Sequence, residues 1–383
     1  MYKQFVDDIR NIYEDKDNYI PLHEPRFYGN EKKYVLDAID STFVSSIGDY
    51  VDRLESMLCN VTGAKHAVAL VNGTNALHLA LILAGVNRGD EVITQALTFI
   101  ATANAISYCD ATPHFVDVDK ETLGMSPSIL SKYLEQIAEV RMGKCYNKIT
   151  NKRIAACVPM HTFGLPLYID ELVSICKQYK IPVIEDAAEA MGSLYKKRNI
   201  GTFGIIGVYS FNGNKIVTSG GGGAIITDDY IIAKKARHLS TQAKIPHKWK
   251  YQHDNIGYNY RMPNLNAALA CAQMEQLNAY VKNKRELSNI YNRLLKESDE
   301  IKLVREVKHA RSNYWLNTIL LRNKRERDIF LSLSNKNGVM TRPAWTLLNR
   351  LDIFLSSPCS DLENSEWLED RIVNITSSVR LNE

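Results

Sequence analysis

Three groups of residues that could together hold a phosphorylated ligand follow one another in this 383-residue chain. Gly73, Thr74 and Asn75 come directly before a helical pattern, and the free backbone amides of a helix start are a natural seat for a phosphate. Asp186 lies near the end of an apolar run, and Lys215 comes later, shortly before four consecutive glycines. Each residue has an ordinary explanation by itself, but chance hardly accounts for the ordered set.

Asp186 and Lys215 fit together as two parts of a site for a cationic ring. Burial raises the pKa of a carboxyl group unless a nearby cation or hydrogen-bond donor stabilises the ionised form. A protonated pyridine-type nitrogen would be such a partner for Asp186, and the pair would keep the ring an electron sink. Ser210 and two asparagines precede Lys215, two hydroxyl residues follow it, and the glycines allow the backbone to pass close to a bulky group.

Simpler structural roles remain open for the same residues. Thr74 and Asp186 both suit the N-cap of a helix, and most lysines lie on the surface of a protein. The glycine run also resembles the phosphate loop of a nucleoside-triphosphate-binding module. That class of protein is poorly supported, because the order GxxxxGK[ST] is absent and no helical pattern follows the glycines.

Seven short runs of apolar and β-branched residues would position these groups. They are HAVALV (66–71), EVITQ (91–95), HFVDV (114–118), IAACVPM (154–160), IPVIEDA (181–187), IGVYSF (206–211) and GAIITD (223–228). Such runs are typical of strands buried on both faces of a parallel sheet. Helical patterns at 74–84 and 169–179 indicate βαβ units, while the short connections between the last three runs predict a mixed sheet near its end. Ligands bind such sheets where the carboxyl ends of the strands give way to loops.

The sequence pattern changes after about residue 260. A long helical stretch runs from 265 to 298, and strand patterns separated by polar helices follow it. This is an α+β pattern. We therefore expect a large domain over residues 1–260, including an amphipathic N-terminal helical segment, and a small C-terminal domain over 261–383 that includes the long bridging helix.

Composition excludes several classes of protein. Hydrophobic residues make up 45% and charged residues 23% of the chain, and the net charge is +4 without a basic stripe, so no nucleic-acid partner is expected. The seven cysteines form no CxxC pair, which argues against a metal site or a disulfide framework and favours the reduced cytoplasm. No membrane span is expected, because the apolar runs are much shorter than the roughly 18 residues that a span requires.

Taken together, the motifs resemble the DegT/StrS group of fold-type I sugar-nucleotide aminotransferases. The resemblance extends over about residues 20–314 and rests on IPLHEPRFYGNEKKYV, STFVSSIGDYVDRLE, VNGTNALHLAL, TQALTFIATANAI, VPMHTFG, IEDAAEAMGS, SFNGNKIVTSGGGG and GYNYRMPNLNAAL. These motifs are most similar to the subgroup that makes 4-amino sugars for bacillosamine- and legionaminic-acid-type glycans. The resemblance implies an α/β/α sandwich around a seven-stranded, mostly parallel sheet, with a smaller α+β C-terminal domain.

The resemblance also implies a cofactor, pyridoxal 5'-phosphate (PLP), which cycles with pyridoxamine 5'-phosphate. Lys215 becomes the Schiff-base lysine and Asp186 the partner of the pyridine nitrogen. Glu189 stands near the ring hydroxyl, where the family often has Gln or His. The remaining cofactor contacts implied are Phe99 on the ring face, Gly73, Thr74, Asn75 and Ser210 around the phosphate, and Asn259 reaching the phosphate from the second subunit of a homodimer.

The implied reaction is a ping-pong transfer of the amino group of L-glutamate to C4 of a nucleotide-linked 4-keto-6-deoxy sugar. The subgroup favours UDP and a 2-acetamido sugar, and a GDP- or dTDP-linked sugar is the alternative. A related branch that dehydrates sugars has His in place of the lysine, and a non-catalytic regulator would be expected to have lost Lys215 or Asp186. Candidate substrate contacts are His161, His247, Trp249, Asn313, Tyr314 and Arg342.

Other roles stay open for three of these candidate contacts. His161 fits equally well as a hydrogen-bonded core histidine, and His247 and Trp249 as residues of a mobile surface loop. The stretch 373–378 departs from the Leu-Pro stretch usual in the group, which leaves the contribution of the small-domain edge to specificity open.

Overall fold

The computed structural model describes residues 1–380 and has strands at all seven predicted apolar runs. In chain order its strands are β1 (His66–Leu70), β2 (Glu91–Gln95), β3 (Thr112–Val116), β4 (Ala138–Arg141), β5 (Lys144–Asn147), β6 (Ile154–Val158), β7 (Ile184–Asp186), β8 (Leu194–Tyr195), β9 (Arg198–Asn199), β10 (Ile206–Ser210), β11 (Gly223–Thr227), β12 (Ile301–Leu303), β13 (Ala310–Arg311), β14 (Asn317–Leu321), β15 (Arg342–Pro343) and β16 (Ile372–Ile375).

The main sheet has the strand order β1-β11-β10-β7-β6-β2-β3. Its two halves, β1-β11-β10-β7 and β6-β2-β3, are joined by parallel bridges from Cys157 to Val183 and from Met160 to Asp186. Strand β11 is antiparallel to β1 and β10, and the other neighbours are parallel. The predicted seven-stranded, mostly parallel sheet that becomes mixed near its end is therefore confirmed.

Helices cover both faces of this sheet. In chain order they are α1 (Tyr2–Ile12), α2 (Glu31–Asp40), α3 (Asp49–Thr62), α4 (Gly73–Leu83), α5 (Ile100–Tyr108), α6 (Pro127–Ile137), α7 (Ile169–Gln178), α8 (Tyr230–Ser240), α9 (Asn264–Leu295), α10 (Lys324–Lys336) and α11 (Glu363–Glu369). Apolar residues of α4, α5 and α8 share one core cluster with the sheet, and those of α3, α6, α7 and α9 share another. The α/β/α sandwich is thus built from two apolar layers, one on each face.

The turn between β1 and α4 differs from the sequence expectation. Helix α4 begins at Gly73, and its N-cap is Asn72, whose side chain accepts a hydrogen bond from the backbone N–H of Asn75. The N-cap role considered for Thr74 is therefore wrong, because Thr74 already lies in the first turn. The helix start still points its free amides towards the carboxyl end of the sheet.

Strands β12, β14, β16 and β15 form a second, antiparallel sheet in that order. Strand β16 contains the first half of the 373–378 stretch that departs from the related group, and it lies inside this sheet rather than at its edge. Residues of α1 share a core cluster with α10, the end of α9 and this sheet. The division at residue 260 stays a prediction. No helix within residues 1–380 is long and apolar enough to cross a membrane.

Candidate active site

A pocket of about 290 Å³ lies at the carboxyl ends of β1, β2, β7 and β10. Parallel strands deliver their following loops to the same edge of a sheet, so residues far apart in sequence meet there. Seven residues predicted to bind the cofactor line this pocket, namely Gly73, Thr74, Phe99, Asp186, Glu189, Ser210 and Lys215. The chain thus brings most of the predicted cofactor set together.

Asp186 is buried at the end of β7 and has two donors. The hydroxyl of Thr102 donates to its Oδ2 at 2.7 Å, and the backbone N–H of Ala188 lies 3.2 Å from its Oδ1. Burial raises the pKa of this carboxyl, and the hydrogen bonds from Thr102 and Ala188, together with the charge of the nearby Lys215, oppose the rise only in part. An ionised Asp186 therefore lacks a close cation, which a protonated ring nitrogen in the pocket would supply.

Lys215 is a pocket residue and not a surface lysine, with only 12% of its side chain exposed. Its Nζ lies 3.1 Å from Oε1 of Glu189 and 3.9 Å from the ring centroid of Trp315. The other oxygen of Glu189 accepts the backbone N–H of Phe163 at 2.9 Å. Burial raises the pKa of Glu189 despite the opposing charge of Lys215. The lysine is thus held between a carboxylate and an aromatic face.

The loop that carries Lys215 is tied to the C-terminal part of the chain. The indole N–H of Trp315 donates to the backbone carbonyl of Asn214 at 2.7 Å. The backbone N–H of Lys215 donates to the carbonyl of Asn212 at 2.9 Å, which closes a tight turn at the pocket wall. The backbone beside Lys215 is therefore held by its own turn and by Trp315.

The predicted phosphate residues meet where α4 begins. A Cβ atom on Gly73 would lie 2.9 Å from the Cβ of Ser210 and 3.2 Å from its hydroxyl oxygen. The glycine run has a different role from a phosphate loop, because a Cβ on Gly223 would lie 2.5 Å from the backbone of Asn72. That glycine lets β11 pass close to the turn that opens α4.

We predict that Gly73→Ala weakens PLP binding by roughly 10-fold or more. The new methyl group would push Ser210 out of the phosphate seat, and each charge-assisted hydrogen bond lost there is worth about 1.5–3 kcal/mol. Titration of the cofactor-free protein with PLP, followed by absorbance, measures the change. Gly85→Ala has open space around its Cβ, although its φ of 82° costs stability, and it should leave PLP affinity unchanged. Equal affinity of Gly73→Ala and wild type would contradict the phosphate assignment.

Three pocket residues with aromatic or hydroxyl side chains were not among the predicted site residues. Trp315 and Trp345 come from the C-terminal part of the chain, and Thr102 comes from the first turn of α5. Phe99 lies with its ring centroid 6.0 Å from that of Trp345. One wall of the pocket is therefore aromatic. Only the TFIAT motif, which contains both Phe99 and Thr102, pointed to this wall in the sequence.

Two predicted cofactor residues lie outside the pocket of their own chain. Asn75 belongs to α4, and its backbone N–H is used in the helix cap with Asn72. Asn259 is exposed and pairs with Thr241 in an isolated antiparallel bridge. A contact of Asn259 with the cofactor of a second subunit therefore stays a prediction.

His161 is a core residue, and its prediction as a substrate contact needs correction. The ring is fully buried and does not line the pocket. Its Nδ1 accepts the backbone N–H of Leu167 at 3.3 Å, so its Nε2 carries the proton and donates to Glu185 at 3.2 Å. Both ring nitrogens are occupied within the protein, as the core-histidine alternative requires.

Asn313 and Tyr314 are also buried and do not line the pocket. The amide of Asn313 donates to the backbone carbonyls of Glu189 and Met191, both at 2.9 Å. Their prediction as substrate contacts is wrong for this chain, because these side chains have no exposed surface to offer. The sequence region was right but the residue was not, since the neighbouring Trp315 reaches the pocket.

The other three predicted substrate contacts lie away from the pocket of their own chain. Arg342 donates to Asn335 and to the backbone of Thr341. His247 and Trp249 are exposed, and their rings contact each other edge to face with centroids 5.0 Å apart. A substrate role for these three residues stays a prediction.

The sheet, the pocket at its strand ends and the buried Lys215–Asp186 set define a PLP-dependent transferase of fold type I. Comparison with protein families gives a match to the DegT/DnrJ/EryC1/StrS aminotransferase family over residues 26–383. The chain belongs to this family and is a sugar aminotransferase whose cofactor is PLP. The observed groups fit that cofactor: a helix start with a hydroxyl for the phosphate, a buried carboxyl for the ring nitrogen and a lysine.

Individual relatives show the same family. GDP-perosamine synthase of Escherichia coli O157:H7 is 38% identical over 336 residues, which cover 88% of this chain and 87% of that protein. EpsN of Bacillus subtilis, described provisionally as a pyridoxal phosphate-dependent aminotransferase, is also 38% identical over 336 residues, or 88% and 84% of the two chains. The solved aminotransferase TlmJ of Streptoalloteichus hindustanus superposes with a TM-score of 0.86 at 23% identity, covering 96% and 95%.

Proposed function

We propose that this sugar aminotransferase moves the amino group of L-glutamate to C4 of a nucleotide-linked 4-keto-6-deoxy sugar. The observation that carries the proposal is the geometry around Lys215, whose amine is 3.1 Å from Glu189 in a pocket shared with Asp186 and the Gly73–Ser210 seat. The product would be a 4-amino-4,6-dideoxy sugar nucleotide for a surface glycan.

Each residue has a separate task in the proposed reaction. Bound PLP supplies an electron sink for the substrate carbon that loses a proton. Asp186 stays ionised against the ring nitrogen, because that cation offsets the burial that otherwise raises its pKa. Lys215 would hold the cofactor covalently, and its amine, once free, would carry the proton to and from that carbon. Glu189 orients the Lys215 amine, and Trp315 covers it.

Two nucleotides are the main candidates for the sugar carrier. The motifs of the sequence resemble the subgroup that uses UDP-linked 2-acetamido sugars. One relative at 38% identity is named for a GDP-linked sugar. A dTDP-linked sugar is the third possibility. The residues that line the pocket within one chain hold the cofactor, so selection of the nucleotide falls to the surrounding loops and to a second subunit.

The proposed enzyme is a homodimer with active sites at the interface. Helix α2 and the segment after it expose a run of apolar side chains, each between 45% and 70% exposed: Leu36, Ile39, Phe43, Val44 and Ile47. Exposed apolar patches of this kind usually mark an interface. Sedimentation equilibrium should give twice the chain mass of 43.4 kDa, and the double variant Leu36→Asp with Ile47→Asp should shift the protein towards monomer.

The reaction itself is tested in two half-reactions on the purified, PLP-loaded protein. L-glutamate should replace the visible band of lysine-bound cofactor with the band of pyridoxamine phosphate and release 2-oxoglutarate. Addition of a UDP-, GDP- or dTDP-linked 4-keto-6-deoxy sugar should then restore the first band, and mass spectrometry should find the 4-amino product. A protein that binds PLP but never responds to glutamate or another amino acid would support a non-catalytic regulator instead.

A further inference from the structure

Two threonine hydroxyls connect Asp186 to the interior of the protein beside the pocket. Thr102, in the first turn of α5, donates its hydroxyl proton to Oδ2 of Asp186 at 2.7 Å. The hydroxyl of Thr98, four residues earlier, lies 3.1 Å from that of Thr102 and 2.8 Å from Sδ of Met160. All four residues are buried. A continuous chain of polar atoms therefore runs from the carboxylate to a thioether sulfur.

The hydroxyl of Thr102 does not serve its own helix. A buried hydroxyl on a helix ordinarily donates to the backbone carbonyl four residues earlier. Ser107 of the same helix does so with Ala103 at 3.0 Å, and Thr62 of α3 has the same arrangement. The hydroxyl of Thr102 instead bonds out of α5 to Asp186. The needs of the helix therefore do not explain this contact.

Met160 is held firmly at the other end of the chain of polar atoms. Its backbone N–H donates to Oε1 of Gln95 at 3.0 Å, and Met160 pairs with Asp186 in a bridge that joins the two halves of the main sheet. The amide of Gln95 in turn donates to the carbonyl of Leu97 and to the hydroxyl of Thr162, both at 2.9 Å. A thioether sulfur has no proton and is a weak acceptor only. The chain thus ends at an atom that accepts a hydrogen bond but never donates one.

The chain has two complete arrangements of its protons, because each Thr hydroxyl donates one hydrogen bond and accepts up to two. When Asp186 is ionised, Thr98 donates to Thr102 and Thr102 donates to the carboxylate. When Asp186 is protonated on Oδ2, the carboxyl donates to Thr102. Thr102 then donates to Thr98, and Thr98 donates to the sulfur of Met160. No donor of the chain is left without a partner in either arrangement.

The charges that face Asp186 offset each other. Lys215 pairs with Glu189 at 3.1 Å, and both ring nitrogens of His161 are used within the core. Helix α5, which carries Thr102, contains no charged residue. Burial raises the pKa of Asp186, and the hydrogen bond from Thr102 is the strongest influence that lowers it. The protonation of this carboxyl therefore depends on its hydrogen bonds and on what the pocket holds.

We propose that this hydroxyl chain, formed by Thr98, Thr102 and Met160, positions the carboxyl of Asp186 both with the cofactor bound and without it. With PLP bound, the protonated ring nitrogen favours the ionised arrangement. Without PLP, the protonated arrangement avoids a buried unpaired charge. No proton crosses the core, because each hydroxyl only turns about its C–O bond while Asp186 exchanges its proton through the pocket that it lines. The proposal rests on the assignment of Asp186 to the ring nitrogen and is independent of the sugar substrate.

The first test measures the affinity of the cofactor-free protein for PLP by absorbance titration. Thr102→Val keeps the shape of the side chain but removes the donor to the carboxylate. PLP binding should weaken by roughly 10-fold, as expected for the loss of one charge-assisted hydrogen bond. Thr102→Ser keeps the hydroxyl and should restore binding to within about two-fold of wild type. Ser107→Ala is the matched control on the same helix and should bind PLP as wild type does, since its hydroxyl serves only the backbone.

The second test compares the Tm of the cofactor-free variants with that of wild type between about pH 5 and pH 8. The raised folded pKa of Asp186 means that the protonated arrangement is favoured at the acid end and is lost as pH rises. Met160→Leu preserves the core volume but removes an acceptor that only the protonated arrangement uses, so its Tm deficit should shrink as pH rises. Thr102→Val removes the donor to the carboxylate, so its deficit should grow. Deficits that stay the same at every pH in both variants would show a purely structural role and overturn the proposal.

Asp186→Asn separates failure of this proposal from failure of the site assignment. If Asp186→Asn binds PLP as tightly as wild type, the carboxylate is not the partner of the ring nitrogen and the assignment fails. If Asp186→Asn weakens PLP binding and Thr102→Val does not, the assignment stands and the hydroxyl chain is overturned. Weaker binding by both variants, with rescue by Thr102→Ser, supports the chain. None of these results depends on the amino donor or the sugar, which the two half-reactions test.

Discussion

Lys215→Ala is expected to lower kcat for the half-reaction with glutamate by roughly ten-thousand-fold. A positioned general base alone contributes about 10²- to 10⁴-fold, and this substitution also removes the covalent anchor of the cofactor. No other lysine lines the pocket to replace it. Stopped-flow absorbance at saturating glutamate measures the loss. The variant should retain PLP non-covalently, because the phosphate seat and Asp186 are untouched.

The control variants show whether position 215 needs only a positive charge or an amine that can transfer a proton. Lys215→Arg keeps a cation beside Glu189 but cannot lose its proton at working pH, so it should be almost as inactive as Lys215→Ala. Lys234→Ala removes an exposed lysine of α8 and should behave as wild type. A small amine such as methylamine should restore part of the proton transfer in Lys215→Ala. A visible band of lysine-bound cofactor in Lys215→Ala would show that the anchor lies elsewhere.

The sequence predicted the architecture well because the main-sheet strands are buried on both faces. Continuous apolar runs mark such strands, and the polar residue that ends each run then lies at the ligand edge. Asp186 and Ser210 were found in this way, since each is the last residue of its strand. An apolar run and the polar residue that ends it can be recognised without knowledge of distant contacts. This explains why the prediction succeeded at this edge of the sheet.

The C-terminal wall of the pocket could not be predicted by the same rule. Tyr314 has a positive φ of 45°, and this local left-handed turn decides that Trp315 faces the pocket while Asn313 stays in the core. No glycine or asparagine at position 314 signals the turn. Only the three-dimensional structure brings these residues together.

Asp186→Asn should also inactivate the enzyme while stabilising the cofactor-free protein. Asparagine keeps the shape of the side chain: it can accept the N–H of Ala188, and the hydroxyl of Thr102 can rotate to accept from its amide. It cannot hold the ring nitrogen as a cation, so the ring becomes a weaker electron sink. We expect kcat to fall by roughly 10³-fold, which corresponds to about 4 kcal/mol in the activation barrier. PLP affinity should fall as well.

The stability effect follows from the pKa of Asp186 in the cofactor-free state. Burial raises that pKa in the folded chain above the unfolded value of about 3.9. Stability therefore falls as pH rises from the unfolded pKa through the folded one, because the folded state resists ionisation. The substituted amide is uncharged at every pH, so the Tm of Asp186→Asn should exceed that of wild type by a few degrees near pH 7, and the two should converge below pH ~4.

Two further measurements decide between this account and a purely structural role for Asp186. With PLP bound, the protonated ring nitrogen stabilises the ionised carboxylate of the wild type. The Tm advantage of Asp186→Asn should therefore shrink or reverse. Asp117→Asn is the matched control, since Asp117 is equally buried but accepts backbone N–H groups of Asn364 and Ser365 at 2.8 Å. That control should lose stability near pH 7 and keep its kcat. A less stable cofactor-free Asp186→Asn would mean that this carboxylate serves the fold, and its ionisation would then need a partner other than the cofactor ring.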